Sequence, residues 1–262
     1  PAPGTMVLIT GASSGLGEEF AKQLASRGHD LALAARRVDR MDVTAAELRK
    51  EHGVEVLVFE RDLGNEAGCR ALLEDVEASG KDLVGLVNNA GFGSSGRFHE
   101  MDQDWELQQV RLNVETVHLL TGAVLPGMVE RGEGSVLNVA SIASFQPLPN
   151  MATYSATKAF VRVFSEAVNA ELSGTGVSCT ALCPGPMATE WEEVSNVGSG
   201  WMPGVAYVST ETAVRAAVKG MVRGARVVVP GRIPQALAWG GHLAPRSVVL
   251  PATRFFGDLR RK

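Results

Sequence analysis

Seven short and almost unbroken apolar runs recur along the chain, separated by longer stretches of helical character. The runs are Met6–Thr10, Asp30–Ala35, Val54–Glu60, Leu83–Asn88, Gly134–Ala140, Val177–Cys183 and Arg226–Val229. A strand with one wet face alternates apolar and polar residues, because successive side chains point to opposite sides. A strand covered on both faces has no polar side to show. The helical stretches between them are Gly15–Arg27, Arg40–Glu51, Glu66–Ala78, Asp102–Met128, Ala152–Ser173 and Glu211–Arg223. This repetition predicts an α/β fold: a doubly wound parallel sheet of about seven strands, joined by right-handed crossovers with helices on both faces.

The 262 residues suffice for one large core, and 45% hydrophobic with 21% charged residues is ordinary globular composition. No linker or repeat divides the chain, so residues 1–231 read as one domain and 232–262 as its extension. No stretch approaches the roughly 20 apolar residues of a membrane span. The opening Pro1-Ala2-Pro3-Gly4-Thr5 lacks the basic flank and apolar segment of a secretion signal. Three cysteines cannot build a disulfide framework, which points to a reducing cytoplasm. A net charge of −4 argues against nucleic acid as the main partner. The 232–262 tail departs from that balance, with +5 of its own. Residues 186–209 form a long aperiodic connection carrying Met187, Trp191, Trp201 and Met202. Connections of this length are functional or disordered, and the aromatics disfavour disorder.

Thr10-Gly11-Ala12-Ser13-Ser14-Gly15-Leu16-Gly17 joins the first strand to the first helix. Glycines let backbone N–H groups approach a phosphate, and the helix N-terminus supplies partial positive charge. A purely structural turn is the alternative, weakened by the position at the head of a strand–helix–strand unit. The same residues match the G-x-S-x-G nucleophile elbow, but the strands that should precede an elbow do not precede Gly11. Ser155-Ala156-Thr157-Lys158 matches an S-x-x-K acylation motif without its companion motifs. At the end of the second strand, NAD-binding folds place an acid for the ribose 2′-hydroxyl. Here Ala35 is followed by Arg36 and Arg37. Guanidinium groups there suit a 2′-phosphate, hence NADP(H); the alternative is a solvated arginine pair closing the strand.

Tyr154 and Lys158 stand at i and i+4, on one face of a helix. An ammonium beside a phenol favours the phenolate and draws its pKa from about 10 toward neutrality. Such a tyrosine can exchange a proton with a substrate oxygen. Alone, the pair would read as a surface contact. It is accompanied by Asp62-Leu63 after the third strand, Asn88-Asn89-Ala90-Gly91 after the fourth and Asn113 in the next helix. Ser141 follows the fifth strand, and Pro184-Gly185 follows the sixth. In this order the set resembles the short-chain dehydrogenase/reductase family, in its NADP-preferring branch, over roughly residues 5–230.

That resemblance implies a Rossmann-type fold and an oxidoreductase that moves a hydride between NADP(H) and a carbonyl or alcohol. It implies Asn113, Ser141, Tyr154 and Lys158 as the catalytic set. Tyr154 would be acid in reduction and base in oxidation, and Ser141 would hold the substrate oxygen. Lys158 would tune Tyr154 and bind the nicotinamide ribose, and Asn113 would anchor a water relay toward Lys158. Gly11, Ser13, Ser14, Gly15, Leu16 and Gly17 would form the cofactor loop, with Asp62 and Leu63 at the adenine. Asn89, Ala90 and Gly91 would line the cofactor, and Pro184, Gly185 and Thr189 would seat the nicotinamide. NADP-preferring relatives often carry a basic residue where this chain has Ser14, so phosphate recognition is expected to rest on Arg36 and Arg37. Two other classes stay open: a non-catalytic NADP sensor or scaffold, and an epimerase or dehydratase without net redox change.

Phe145, Pro147, Leu148, Pro149 and the aromatics of the 186–209 loop are expected to line an apolar substrate pocket, although the loop aromatics could instead serve an interface. Phe160, Val163, Phe164 and Ala167 form an apolar face away from Tyr154, which together with the resemblance predicts a homodimer or homotetramer. The tail, with Leu243, Val248, Val249, Leu250, Phe255 and Phe256 beside Arg246, Arg254, Arg260 and Arg261, could lie on an anionic membrane. Pro245 and Pro251 should interrupt a long helix there, which favours packing over the active site or on a partner. Cys179 and Cys183 read as core residues, and His29, His52, His99, His118 and His242 have no metal-ligand spacing.

Overall fold

The computed structural model describes residues 4–195 and 204–259. Trp201, Met202, Arg260 and Arg261 lie outside these residues. Strands β1 (Thr5–Thr10), β2 (Asp30–Ala35), β3 (Val56–Glu60) and β4 (Asp82–Asn88) alternate with helices α1 (Gly15–Ala25), α2 (Val38–His52) and α3 (Glu66–Ala78). Helix α4 (Gln103–Val110) runs through a wide π-turn, Arg111–Glu115, into α5 (Thr116–Arg131). Then follow β5 (Gly134–Val139), α6 (Ala152–Glu171), β6 (Val177–Leu182), α7 (Glu190–Val194), α8 (Thr210–Val222) and β7 (Val227–Val228). Two helices close the chain, α9 (Arg232–Leu243) and α10 (Arg246–Leu259).

All pairings in the seven-stranded sheet are parallel, in the order β3-β2-β1-β4-β5-β6-β7. The unbroken apolar character of β1 has a direct cause. Val7 and Ile9 pack into the layer of Phe20, Met41 and Val214, from α1, α2 and α8. Met6 and Leu8 point the other way, against Leu72, Leu120 and Met128 from α3 and α5. Both layers are dry, so truncating a residue such as Leu8, fully buried, to alanine costs about 2–5 kcal/mol. Asn65 caps α3 by accepting from Gly68 N at 2.9 Å, and α2 ends on Gly53 at φ 67.

Two elements differ from the sequence expectation. The single helix expected over Asp102–Met128 is divided by the π-turn, whose one extra residue per turn carries no residue-type signature of its own. The continuous run Gln103–Arg131 is also long and apolar enough to cross a membrane. Here its α5 portion covers β4 and β5 and packs against α3. In the tail, Pro245 separates α9 from α10, but Pro251 lies within α10. As that helix's sixth residue, it forfeits one intrahelical bond.

Candidate active site

Strand order reverses beside β1: its chain neighbour β2 lies on one side and β4 on the other. Crossovers diverge from the carboxyl ends of these strands, which opens a crevice where doubly wound folds bind ligands. A cavity of about 1190 Å³ occupies it.

The glycine loop forms one wall. Gly11 has φ +64, and a Cβ there would come within 2.8 Å of Ala90 Cα. Asn89 pins this close approach, since its Nδ2 donates to Thr10 O at 3.0 Å and Gly11 O at 3.1 Å. Gly17 does not reach the cavity; a Cβ on it would strike Gly11 O at 2.2 Å, so its place is helix-to-loop packing. Gly11, Ser13, Ser14, Gly15 and Leu16 line the cavity, as do Asn89, Ala90 and Gly91. Ser14 precedes α1 but gives it no side-chain cap. The helix's first N–H groups are thus available to an anion, which fits the diphosphate of a dinucleotide.

Arg36 and Arg37 are exposed at the cavity edge. Arg37 donates from Nε to Ser13 Oγ at 3.2 Å and from Nη2 to Ser14 Oγ at 2.8 Å. Ser13 and Ser14 therefore hold the Arg37 guanidinium against the glycine loop. Arg37 also pairs with Glu190 at 2.8 Å, and the same carboxylate meets Arg40 at 2.5 Å. These two arginines hold the Glu190 carboxyl down at about 2. After β3, Asp62 Oδ1 accepts from Gly64 N at 3.1 Å, and the Leu63 carbonyl accepts from Thr116 Oγ1. Both residues border the cavity.

The candidate reactive groups lie deeper. Ser141 opens the turn after β5, and its Oγ accepts from Ala143 N at 3.1 Å and hydrogen-bonds the Tyr154 phenol. Lys158, one turn along α6, is buried and donates to Val139 O at 2.8 Å; its Nζ is 5.9 Å from the centre of the Tyr154 ring. Burial pushes the Tyr154 phenol up to about 12 and the Lys158 ammonium down to about 8. The sequence expectation of a phenol drawn toward neutrality is thus not met here. The two groups lose water together, and the ammonium is directed at a main-chain carbonyl.

Asn113 does not touch the cavity. It sits in the π-turn, where its amide accepts from Phe92 N at 3.2 Å and donates to Phe92 O at 2.9 Å and Thr157 Oγ1 at 3.2 Å. Thr157 in turn donates to Tyr154 O at 2.9 Å. Sequence reasoning passed over Thr157, although it lies inside the Tyr154–Lys158 motif. Asn88 faces away from the crevice, donating to Thr121 Oγ1 and Asn138 Oδ1. Asn138 continues to Ser165 at 2.9 Å. This buried network joins β4 and β5 to α5 and α6.

Pro184, Gly185, Met187 and Thr189 continue the wall, and Trp191 lies against Tyr154 with ring centres 5.0 Å apart. Leu148 and Pro149 also line it. Phe145 does not: it is buried with Val117 and Val161, beneath the Arg162 guanidinium. Pro147 is exposed and does not line the cavity. The tail supplies the outer wall through Leu237, Val248, Val249 and Thr253. Cys179 and Cys183 are buried, and burial pushes both thiols up to about 12. Among the described residues, no three His, Cys, Asp or Glu side chains gather as a metal site.

A doubly wound sheet with a phosphate-ready glycine loop and a buried Ser–Tyr–Lys group defines a dinucleotide-binding α/β protein. The short chain dehydrogenase family model matches residues 5–200, and the chain belongs to that family. A very-long-chain 3-oxoacyl-CoA reductase from Anas platyrhynchos is 34% identical over 260 residues, covering 95% of this chain and 79% of that one. A short-chain dehydrogenase from Sphingobium yanoikuyae, solved in complex with NADPH, is 35% identical with a TM-score of 0.81, over 96% of this chain and 93% of that one. A bulky-bulky ketone specific alcohol dehydrogenase from Comamonas testosteroni is 32% identical with a TM-score of 0.76, over 96% and 92%.

Proposed function

We propose that this protein reduces medium-sized to large lipophilic ketones or aldehydes, or oxidises the corresponding alcohols, with Asn113, Ser141, Tyr154 and Lys158 as its working set. It is an oxidoreductase that uses NADP(H). The observation that carries the catalytic assignment is the Tyr154 phenol hydrogen-bonded to Ser141 within the cavity, with buried Lys158 one turn behind it. When bound, NADPH supplies the hydride to the carbonyl carbon. The chain's own residues handle the oxygen. Ser141 Oγ orients it and stabilises its developing charge, and Tyr154 Oη delivers the proton. Burial keeps that phenol protonated, the form reduction needs. Lys158 holds positive charge behind it and, with Asn113 fixing the π-turn, leads replacement protons inward.

Apolar walls from Met187, Trp191, Leu237 and Val249 support a lipophilic substrate, and the similarity to reductases of long acyl and bulky ketone substrates agrees with it. The apolar outer face of α6 supports a homodimer or homotetramer, and three buried free thiols suit the cytoplasm. NADPH consumption should be measured over aldehydes, ketones and β-ketoacyl thioesters of growing chain length. A rise in kcat/KM with length is expected. A flat or falling series overturns the lipophilic pocket, and cofactor left unconsumed throughout overturns the reductase.

A further inference from the structure

The Glu190 carboxylate spans two guanidiniums, with one oxygen 2.8 Å from Arg37 Nη1 and the other 2.5 Å from Arg40 Nη1. Arg37 is simultaneously fixed by the hydroxyls of Ser13 and Ser14, at the end of β2 and on the edge of the dinucleotide cavity. An oxyanion with two oxygens spread over two guanidiniums is the arrangement a phosphate adopts with arginines. We propose that Arg40 joins Arg37 as a binding residue for the cofactor's 2′-phosphate, and that Glu190 is an internal anion which this phosphate displaces.

Charge decides the direction of the exchange. The phosphate carries about 1.5 to 2 negative charges against one on Glu190, and it brings three acceptor oxygens in place of two. Leaving costs Glu190 little: its side chain is 43% exposed, so the freed carboxylate returns to water. If it stayed, it would repel the phosphate at close range. Glu190 therefore lowers NADP(H) affinity while leaving NAD(H), which has no 2′-phosphate, indifferent to it. The exchange also reaches the substrate side. Glu190 begins α7, and the next residue, Trp191, lies against Tyr154. Cofactor arrival would thus untie the start of the segment that walls the reactive tyrosine.

The inference rests on the use of NADP(H) and is independent of the substrate. It is tested by titration calorimetry of NADP+, NAD+ and adenosine 2′,5′-bisphosphate into the full chain. Glu190→Gln should tighten NADP+ and the bisphosphate by about 2- to 30-fold, the loss of two exposed ion pairs in competition. NAD+ affinity should stay within about twofold. Adding Arg40→Gln to the Glu190→Gln protein, where the competitor is already gone, should weaken NADP+ by about 10- to 150-fold. Unchanged or weaker NADP+ binding in Glu190→Gln would mean that Glu190 supports the arginines, and would overturn the displacement. Equal shifts for NADP+ and NAD+, or no effect of Arg40→Gln, would overturn the site. Wild-type protein that binds NAD+ as well as NADP+ would instead overturn the cofactor reading itself.

Discussion

Tyr154 and Lys158 pair an acid that holds its proton with a base that sheds one more readily than usual. With the phenol at about 12, Tyr154 is a proton donor throughout the working range. Tyr154→Phe keeps the ring against Trp191 and removes only that proton. Turnover should fall by about 10²–10⁴-fold while NADPH affinity, measured by fluorescence titration, stays unchanged; retention of half the activity would contradict the assignment. Lys158 carries the pH dependence. Its pKa is lowered from 10.5 to about 8, so the ammonium is half titrated near pH 8 and is lost as the pH rises beyond it. The value of kcat/KM for NADPH reports groups of the free enzyme, and should fall above pH about 8. Lys158→Arg keeps its charge and should move that fall upward. Stability has the opposite trend. Between 8 and 10.5 the unfolded chain holds a proton on Lys158 that the native chain lacks, so this group's contribution rises with pH there. Residue types and spacing exposed this pair in the sequence. The direction of its pKa values was not legible, since it depends on burial and on the Val139 carbonyl, nineteen positions away.

Among the elements, the strands announced themselves and the irregular helices did not. The π-turn at Arg111–Glu115 places Asn113 against Phe92 and Thr157, yet no residue type in Arg111-Leu112-Asn113-Val114-Glu115 marks a widened turn. Arg40 shows the same limit. Its sequence neighbours mark it as a helix-start arginine, but its partner Glu190 is 150 positions away. Residues 232–262 were legible as apolar and basic, with two prolines as breaks. The structure uses only Pro245 as a break, and α9 and α10 each contribute residues to the cavity wall. Pro234 reaches Gly185 so closely that a Cβ there would meet it at 2.8 Å, and Trp239 meets Phe145 edge-on at 5.5 Å. The tail is therefore part of the pocket. Val249, 6% exposed, points inward from α10. Val249→Trp should fill space inside the cavity and reduce kcat/KM for long-chain ketones by about tenfold or more relative to short ones, on the scale of pocket discrimination by one or two methylenes. Equal losses for long and short substrates would place that wall away from the substrate.

For the whole molecule, a parallel sheet covered on both faces follows from physics already present in the chain, while the strand order comes from the structure. Runs such as Met6–Thr10 have no polar face, so they belong in a sheet covered on both sides, and right-handed crossovers then restrict the topology. A sheet of this kind leaves its outermost helices to contact solvent or another molecule. On α6, Phe160 is 39% and Val163 56% exposed, and Phe160 stacks on Phe164 at 5.6 Å, with ring planes 11° apart. His118 of α5 meets Phe164 at 5.5 Å, so the apolar surface continues onto the neighbouring helix. This face points away from the cavity, and no residue on it belongs to the site. Pairing through this face about a two-fold axis that passes close to Val163 would set it against its own symmetry mate, where apolar contact is favourable and like charges repel. Light scattering at micromolar concentration should therefore show a dimer or tetramer. Val163→Glu should shift it toward the monomer, most strongly at low salt, where repulsion between carboxylates is least screened. A monomeric wild-type protein would remove the case for pairing through α6. A variant as fully assembled as the wild type would place the contact on another face.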